Sequence, residues 1–188
     1  MRALSIIILL LFALSAPAIS ATWEIVPHDT RVEVDVNWLG RIVTLRFDRI
    51  HGTILFDRRR PERARAQITV DARAVSTGLA VVDAFVRGPD YLNVGAYPTI
   101  GFQLDRLVRT SPSTADVFGR LTLFGTTRSV SLQAQVFRYG PTPGAPQRFD
   151  AGFDLTGTVD RRDFGHTTGL PQIAATLPIR IRLLMRSL

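Results

Sequence analysis

The sequence predicts an all-β protein, an antiparallel up-and-down barrel with a short helical insertion. Three observations lead to this fold class. Apolar and polar side chains alternate along most of the chain, which is the pattern of strands with one buried face. Turn-forming residues, mainly Gly, Pro and Asp, separate these segments at near-regular spacing. Between Ser76 and Phe102 the alternation stops, and residues 81–87 show helical spacing instead.

The alternation is clearest over residues 31–38, where Val32, Val34 and Val36 share one face. Segments with the same or a weaker pattern predict about ten strands, at residues 22–26, 31–38, 43–50, 52–56, 65–71, 100–104, 117–124, 130–136, 149–155 and 178–183. Residues 140–146, rich in Pro and Gly, predict the longest loop. Short strands that each bury one face close most economically as a barrel, because closure removes exposed strand edges.

The insertion predicts a short helix over residues 81–87 that ends at Gly88 and Pro89. Its inward side and the following turn carry five apolar or aromatic side chains, Val82, Phe85, Val86, Tyr91 and Leu92. On the outward side, Asp83 and Arg87 are spaced to form an ion pair. The segment is either a lid that gates a ligand or a plug that seals a filled core, and the sequence leaves both interpretations open.

Aromatic residues are plentiful, with 11 Phe, 3 Tyr and 2 Trp. Rigid rings can wall a cavity without collapsing into it, and a barrel of this size can hold one small ligand. The same rings can equally fill an ordinary core. Alternation alone does not separate these two interpretations.

The N-terminus predicts a cleavable secretory signal over residues 1–20, followed by one domain over residues 21–188. A basic start at Arg2 precedes an apolar stretch too short to cross a bilayer with room to spare, and small residues follow at positions 16–21. We therefore expect a periplasmic protein, with an uncleaved membrane anchor as the alternative. The chain has no Cys, which excludes disulfides and thiol chemistry.

The chain carries a net charge of +7, and all 23 of its basic residues are Arg. This charge permits transient contact with an anionic membrane surface. The one basic cluster, within residues 58–65, has no interleaved aromatic residues that could stack on bases. We therefore expect no nucleic-acid partner.

The sequence contains no pattern typical of catalysis or metal binding. The three histidines, His28, His51 and His166, are far apart and lack neighbours at metal-ligand spacing. A nucleophile elbow and a phosphate-binding glycine loop are also missing from the sequence. We therefore expect no catalytic residue, metal or cofactor, and we expect the charged residues 160–163 to form local ion pairs at a turn.

Five motifs, taken in their order and spacing, resemble the YceI-like family of secreted, lipocalin-like proteins that bind polyisoprenoid lipids. They lie at residues 23–30 (WEIVPHDT), 52–57 (GTILFD), 76–102 (with Tyr97-Pro98), 119–128 (GRLTLFGTTR) and 161–165 (RRDFG). The resemblance implies a lipocalin-like antiparallel barrel of about eight strands, with helices at one end. It also implies an elongated apolar tunnel for an isoprenoid chain.

The chain departs from the family's pattern at three places. Val26 stands where Asp is usual, and Thr44 and Leu45 lie where a Gly commonly precedes the phenylalanine at position 47. These two departures should leave the fold intact. The third is His166, which stands where an apolar residue is usual. If His166 faces the tunnel, its imidazole can hydrogen-bond a polar head group such as a quinone carbonyl, and it can equally point to solvent.

The residues and the resemblance together predict a binding protein rather than an enzyme, with an isoprenoid lipid or isoprenoid quinone in the barrel interior. The predicted ligand-binding residues are Trp38, Phe47, Phe56, Phe85, Tyr91, Phe102, Leu104, Phe124, Phe164 and His166. Two alternatives come from other classes: an enzyme that acts on a small apolar substrate, and a stress-response or structural interaction module with a filled core. Homodimer formation stays open.

Overall fold

Ten antiparallel strands and one α-helix account for most of residues 21–188, the part of the chain that the computed structural model describes. The strands are β1 (Ala21–Ile25), β2 (Arg31–Trp38), β3 (Arg41–Phe47), β4 (Ile50–Phe56), β5 (Arg65–Asp71), β6 (Thr99–Arg109), β7 (Thr114–Leu123), β8 (Thr126–Thr142), β9 (Ala145–Asp160) and β10 (Thr176–Ser187), and the helix is α1 (Ala80–Arg87). The predicted signal peptide, residues 1–20, lies outside the described residues, so its cleavage stays a prediction.

Eight of these strands close into a ring. The ring order is β1, β4, β5, β6, β7, β8, β9 and β10, and β10 returns to β1. The short strand β1 makes the closure, because Trp23 lies opposite Ile54 of β4 on one side and opposite Ser187 of β10 on the other. The antiparallel eight-stranded barrel is therefore confirmed.

The hairpin of β2 and β3 extends the sheet beyond this ring. β10 pairs with β1 through residues 185–187 and with β2 through residues 179–182. The other edge of β3 meets the segment before α1 through an antiparallel bridge between Arg46 and Ser76. Val86 of α1 packs in the cluster that contains Phe47 of β3 and Val70 of β5. The helix therefore covers the gap beside β3, at what we call the lid end of the barrel.

The strands bury the face that the alternation predicts. Along β8, Leu132 and Ala134 are buried inside the barrel, whereas Gln133 and Gln135 are exposed. The strands from β6 to β10 are longer than the sequence indicated, and β8 and β9 pair far beyond residues 130–136.

Two predicted boundaries are wrong. Residues 43–50 divide between β3 and β4, because Phe47 and Ile50 are both buried although three residues apart, which one regular strand cannot achieve. Most of residues 140–146, predicted as the longest loop, pair as the tip of the β8–β9 hairpin. Backbone pairing overrides the local turn signals of Pro and Gly there.

The helix predicted over residues 81–87 is confirmed as α1, but its predicted ion pair is wrong. Asp83 accepts hydrogen bonds from the Thr77 backbone N–H (2.6 Å) and hydroxyl (2.7 Å), and Arg87 donates to the Val75 carbonyl (3.4 Å). The Thr77 hydrogen bonds hold the pKa of Asp83 below its ordinary value. Both charges therefore tie α1 to the preceding segment. Within residues 21–188, no helix has the length and apolar character needed to cross a membrane.

A buried carboxylate fastens the β8–β9 hairpin to β10 at the end of the barrel remote from α1. Asp150 is 2% exposed, and it accepts hydrogen bonds from Arg186 Nε and from the Thr142 hydroxyl, at 2.8 and 2.7 Å. The Arg186 hydrogen bond holds the pKa of Asp150 below its ordinary value, although burial acts in the opposite direction. Asp150 is therefore charged at neutral pH and stabilises this end of the barrel.

Gly119 of β7 makes room inside the barrel for an aromatic ring. A Cβ atom at this position would lie 2.4 Å from Cζ of Phe102 and 2.5 Å from the carbonyl oxygen of Gln103. Side chains do not tolerate such approaches, so only Gly allows the Phe102 ring to lie across β7.

We expect Gly119→Ala to lower the free energy of unfolding by about 1–3 kcal/mol, because the added methyl group overpacks the barrel interior. Gly101→Ala on β6 is the control, since its Cβ would meet nothing closer than 3.7 Å. Its effect should stay within about 0.5 kcal/mol. Urea unfolding of both variants measures the difference, and equal stabilities would contradict this account of the Phe102 packing.

Candidate ligand-binding cavity

The barrel encloses an elongated cavity of about 340 Å³. Its wall includes every second residue of β10, Leu177, Ile179, Ile181, Leu183 and Met185. Eight residue steps along a strand span roughly 27 Å, so the cavity follows most of the barrel's length. Its volume lies within the range of roughly 300–1,000 Å³ that is typical of small-molecule sites.

The wall of this cavity is almost entirely aliphatic and aromatic. Apart from the Trp38 indole, the polar or charged side chains that reach it are Thr30, Arg65, Tyr91, Arg161 and His166. The Thr30 hydroxyl is already engaged, because it donates to the carbonyl of Leu184 and accepts from its N–H. The cavity therefore suits a long hydrocarbon ligand with few polar atoms.

Nine of the ten predicted ligand-binding residues line this cavity: Trp38, Phe47, Phe56, Phe85, Tyr91, Phe102, Leu104, Phe124 and His166. The structure thus brings together side chains from the β2–β3 hairpin, from the barrel strands and their connections, and from residues 80–92, which we call the lid segment. Their role in binding stays a prediction.

Phe164 is the exception, because it is 4% exposed but does not reach the cavity wall. It lies in a 3-10 turn, Arg161–Phe164, where the alternation of the preceding strand β9 no longer applies. The residue of this turn that does line the cavity is Arg161. Phe164 therefore belongs to the packing around the site rather than to its wall.

Aliphatic side chains that were not among the predicted site residues form much of the cavity wall. Leu132, Leu155 and Ile181 belong to the wall, and the period-two pattern had already placed them on inward faces. Attention to aromatic residues, rather than to every inward position, left them out of the predicted site.

Arg161 was also assigned wrongly. The turn does contain an ion pair, between Arg162 and Asp160, which lowers the pKa of Asp160 to about 2. Arg161, in contrast, forms no ion pair with any residue in the described part of the chain and is only 4% exposed. A buried arginine is rare enough that the local sequence favoured a surface role.

The Arg161 guanidinium organises the polar end of the cavity. It donates hydrogen bonds to three backbone carbonyls, from Nε to Ala174 (3.0 Å), from Nη1 to Thr168 (2.7 Å) and from Nη2 to Ile173 (2.8 Å). Burial lowers the pKa of Arg161. The carbonyl oxygens compensate the buried charge and fix the course of the chain between β9 and β10.

His166 connects this guanidinium to the lid segment. Its Nδ1 lies 2.7 Å from Arg161 Nη1, and its Nε2 lies 3.1 Å from the carbonyl oxygen of Asp90. A guanidinium only donates, so Nδ1 accepts and the Nε2–H donates to Asp90. The imidazole is therefore neutral in this arrangement.

His166 lines the cavity at the lid end and stays partly exposed to solvent. However, both ring nitrogens are engaged with protein atoms. A hydrogen bond from His166 to a ligand head group would require the loss of the bond to Asp90. The geometry therefore assigns His166 to holding the lid segment, in addition to lining the cavity.

Aromatic contacts complete the lid end. Phe124 stacks on His166 with ring centroids 4.8 Å apart and an interplanar angle of 16°. Tyr91 contacts Phe85 of α1 at 4.7 Å between centroids. Phe124 adopts a positive φ of 52°, which is unusual for a bulky residue and aims its ring at the imidazole. The lid segment thus rests on a small group of aromatic rings.

His166 bridges Arg161 and the Asp90 carbonyl, and we call these two contacts the His166 latch. The latch predicts that the stability of the protein depends on pH. Burial, reinforced by the Arg161 charge, lowers the pKa of His166 below its ordinary value of 6.5. The neutral form is therefore favoured in the folded protein, and its stabilising contribution is present above the unfolded pKa and is lost as the pH falls through the folded pKa. We expect the free energy of unfolding to fall as the pH drops below about 6.5, by at most about 1.4 kcal/mol per pH unit from this group.

Urea unfolding at several pH values measures this slope. His166→Gln should flatten it, and His51→Gln, at an exposed histidine of β4, should leave it as in the wild type. An unchanged slope in His166→Gln would contradict the role of His166 as the titrating latch.

The fold is shared with solved bacterial proteins. BcnA of Burkholderia cenocepacia superposes with a TM-score of 0.76 at 19% identity, over 86% of this chain and 99% of BcnA. A polyisoprenoid binding domain from Saccharophagus degradans, implicated in plant cell wall breakdown, superposes with a TM-score of 0.67 at 17% identity, over 89% of this chain and 99% of that domain. At these identities the likeness shows a common fold.

Sequence relatives are closer. A UPF0312 protein of Pseudomonas paraeruginosa is 34% identical over 120 residues, which are 64% of this chain and 61% of the relative. Protein YceI of Salmonella arizonae is 32% identical over 124 residues, 66% of this chain and 63% of the relative. The chain thus spans less than two thirds of the length of these relatives. The model of the YceI-like domain matches residues 23–185, nearly the whole described chain, and the protein therefore belongs to the YceI-like family.

Proposed function

We propose that the protein is a periplasmic carrier that holds an isoprenoid lipid, either a polyprenyl chain or an isoprenoid quinone, in the barrel cavity. The observation that carries this proposal is the elongated cavity with an almost wholly apolar wall. The solved Saccharophagus degradans structure, which shares this fold, is a polyisoprenoid binding domain. This supports the same ligand class.

The shape and chemistry of the cavity favour a chain-like ligand over a compact one. The wall follows β10 for roughly 27 Å, and its side chains offer dispersion contacts rather than hydrogen bonds along this length. Each methylene that leaves water contributes about 0.8 kcal/mol, so a chain of several isoprene units binds tightly without any polar contact.

The polar end of the ligand belongs at the lid end of the cavity. Arg161 supplies positive charge there, although most of its N–H groups are engaged with carbonyl oxygens. The Tyr91 hydroxyl has no hydrogen-bond partner among the residues that the structure describes, and its ring lines the cavity. A head group with acceptor oxygens, such as a quinone carbonyl or a phosphate, can take a hydrogen bond from Tyr91.

A binding function is favoured over catalysis because the two basic groups at the polar end of the cavity, Arg161 and His166, are occupied in holding the structure. Arg161 and His166 are bound to each other and to backbone carbonyls. Among the described residues, no three His, Asp or Glu side chains gather as a metal site would need. A stress-response or structural interaction module that carries no ligand is the rival, and protein isolated from the cell without any bound isoprenoid would support it.

A cavity-filling variant tests the site directly. Ala134 of β8 is buried and lines the cavity, so Ala134→Phe should occupy the space of the ligand. The neighbouring residue Gln135 faces outward, and Gln135→Phe is the matched control. We expect mass spectrometry of organic extracts to find isoprenoid in wild type and in Gln135→Phe, and at least about tenfold less in Ala134→Phe.

Thermal unfolding with added polyprenol or ubiquinone provides the second measurement. The ligand should raise the melting temperature of wild type and Gln135→Phe but not of Ala134→Phe, because only a bound ligand stabilises the folded state. Wild-type protein that carries no isoprenoid and shows no shift with any isoprenoid would refute the carrier function. Equal isoprenoid content in Ala134→Phe would refute the proposed site.

The periplasmic location rests on residues 1–20 and has its own test. N-terminal sequencing of protein from the cell envelope should begin between residues 19 and 22, because the small residues there fit signal cleavage. An intact Met1 on membrane-bound protein would contradict the location and favour an anchor.

A further inference from the structure

Large apolar side chains are exposed on two elements at the lid end. At the tip of the β2–β3 hairpin, Leu39 is 70% exposed and Ile42 is 60% exposed. On and just before α1, Val81 is 83% exposed and Leu79 is 64% exposed. Exposed apolar residues that gather in one region, unlike scattered ones, commonly mark a binding surface.

The hairpin tip carries its apolar residue at a conformational cost. Leu39 has a φ of 50° and Gly40 a φ of 81°, so the turn needs positive φ at both central positions. Asn-Gly is the favoured pair for such a turn, whereas a bulky residue in the left-handed region is an outlier. Leu39 therefore contributes neither to turn stability nor to the core.

The outer face of α1 is apolar as well. Val81 and Ala84 are exposed there, while the two charged residues of the helix are turned toward Thr77 and Val75. A helix on the surface of a soluble domain ordinarily presents polar residues to water. The packing of α1 on the barrel accounts for its inner face only.

The two elements adjoin at the cavity. The bridge between Arg46 and Ser76 is antiparallel. The residues that follow Ser76 therefore run beside β3 toward the tip of the β2–β3 hairpin before α1 begins. Trp38 and Phe85, one from each element, both line the cavity and are 41% and 53% exposed. The exposed apolar surface is therefore continuous with the cavity wall, and we call it the mouth surface (Trp38, Leu39, Ile42, Leu79, Val81 and Phe85).

We infer that the mouth surface docks on an anionic phospholipid bilayer, with the β2–β3 tip and α1 inserted at the interface. This inference rests on the proposed function, since an isoprenoid ligand resides in bilayers. Because the cavity wall is continuous with the docked surface, the ligand can move between bilayer and cavity without contact with water. Shallow insertion of apolar side chains supplies the affinity. The exposed Arg41 next to the tip and the excess of basic over acidic residues in the chain match an anionic surface.

Flotation with phosphatidylcholine–phosphatidylglycerol vesicles tests the inference. The double variant Leu39→Asn with Val81→Gln removes two apolar side chains, and each change suits its local structure, because Asn-Gly favours the turn and Gln favours the helix. The matched control is Val108→Thr with Leu188→Gln, two exposed apolar residues (41% and 72%) at the end of the barrel remote from the lid.

We expect vesicle binding of the Leu39/Val81 variant to fall at least about tenfold, and that of the control to match wild type. Binding should weaken on vesicles of phosphatidylcholine alone. Melting temperatures and isoprenoid content should be equal in all three proteins, which separates docking from folding and from cargo binding. Flotation is run on protein with and without extracted lipid, so that failure of the carrier function leaves the docking result valid.

Three outcomes would overturn the inference. Wild type could fail to float with either kind of vesicle, or the Leu39/Val81 variant could float as well as wild type. Alternatively, sedimentation could show a wild-type dimer that the variant loses while flotation is unchanged, and the mouth surface would then be an interface between two copies of this chain.

Discussion

Closure of the sheet between β1 and β10 is the constraint on which the cavity depends. A ring of eight antiparallel strands fixes a circumference whose interior just accommodates side chains or one small ligand. Inward glycines set how much of this interior stays open: Gly119 admits the Phe102 ring, and a Cβ at Gly157 would lie 2.5 Å from Leu132. The shape of the cavity follows from this balance of ring size and inward side chains rather than from any loop.

At the lid end the barrel wall has a gap, because β3, which extends the sheet beyond the closed ring, has no second strand partner within the described chain. A different kind of interaction holds this end. Arg161 donates to three backbone carbonyls of the connection between β9 and β10 and to Nδ1 of His166. His166 in turn donates from Nε2 to the carbonyl of Asp90. Replacing strand pairing by one buried charge makes the lid end dependent on a few groups, since breaking a buried polar network leaves uncompensated donors.

The sequence predicted what depends on local periodicity and missed what depends on distant partners. Alternation identified the inward face of β8, and helical spacing identified α1. Nothing near Asp83 indicates that its carboxylate accepts hydrogen bonds from Thr77 instead of pairing with Arg87. Nothing near Arg161 indicates that its guanidinium donates to three backbone carbonyls, the farthest of them thirteen residues away. Pairing across the β8–β9 hairpin likewise outweighed its Pro and Gly residues. In each of these errors the deciding hydrogen bond joins a residue to a partner that the periodic pattern does not reveal.

Residues with unfavourable local backbone conformations are concentrated at the lid end of the barrel. The non-glycine residues with positive φ among residues 21–188 are Leu39, Asn93 and Phe124, and all three lie at the lid end. The remote end, in contrast, closes with a buried carboxylate, Asp150, that is satisfied by Arg186 and Thr142. A chain tends to keep locally unfavourable choices where they serve a purpose other than stability. The asymmetry between the two ends supports the proposal that the lid end is the functional end of the barrel, independently of the shape of the cavity.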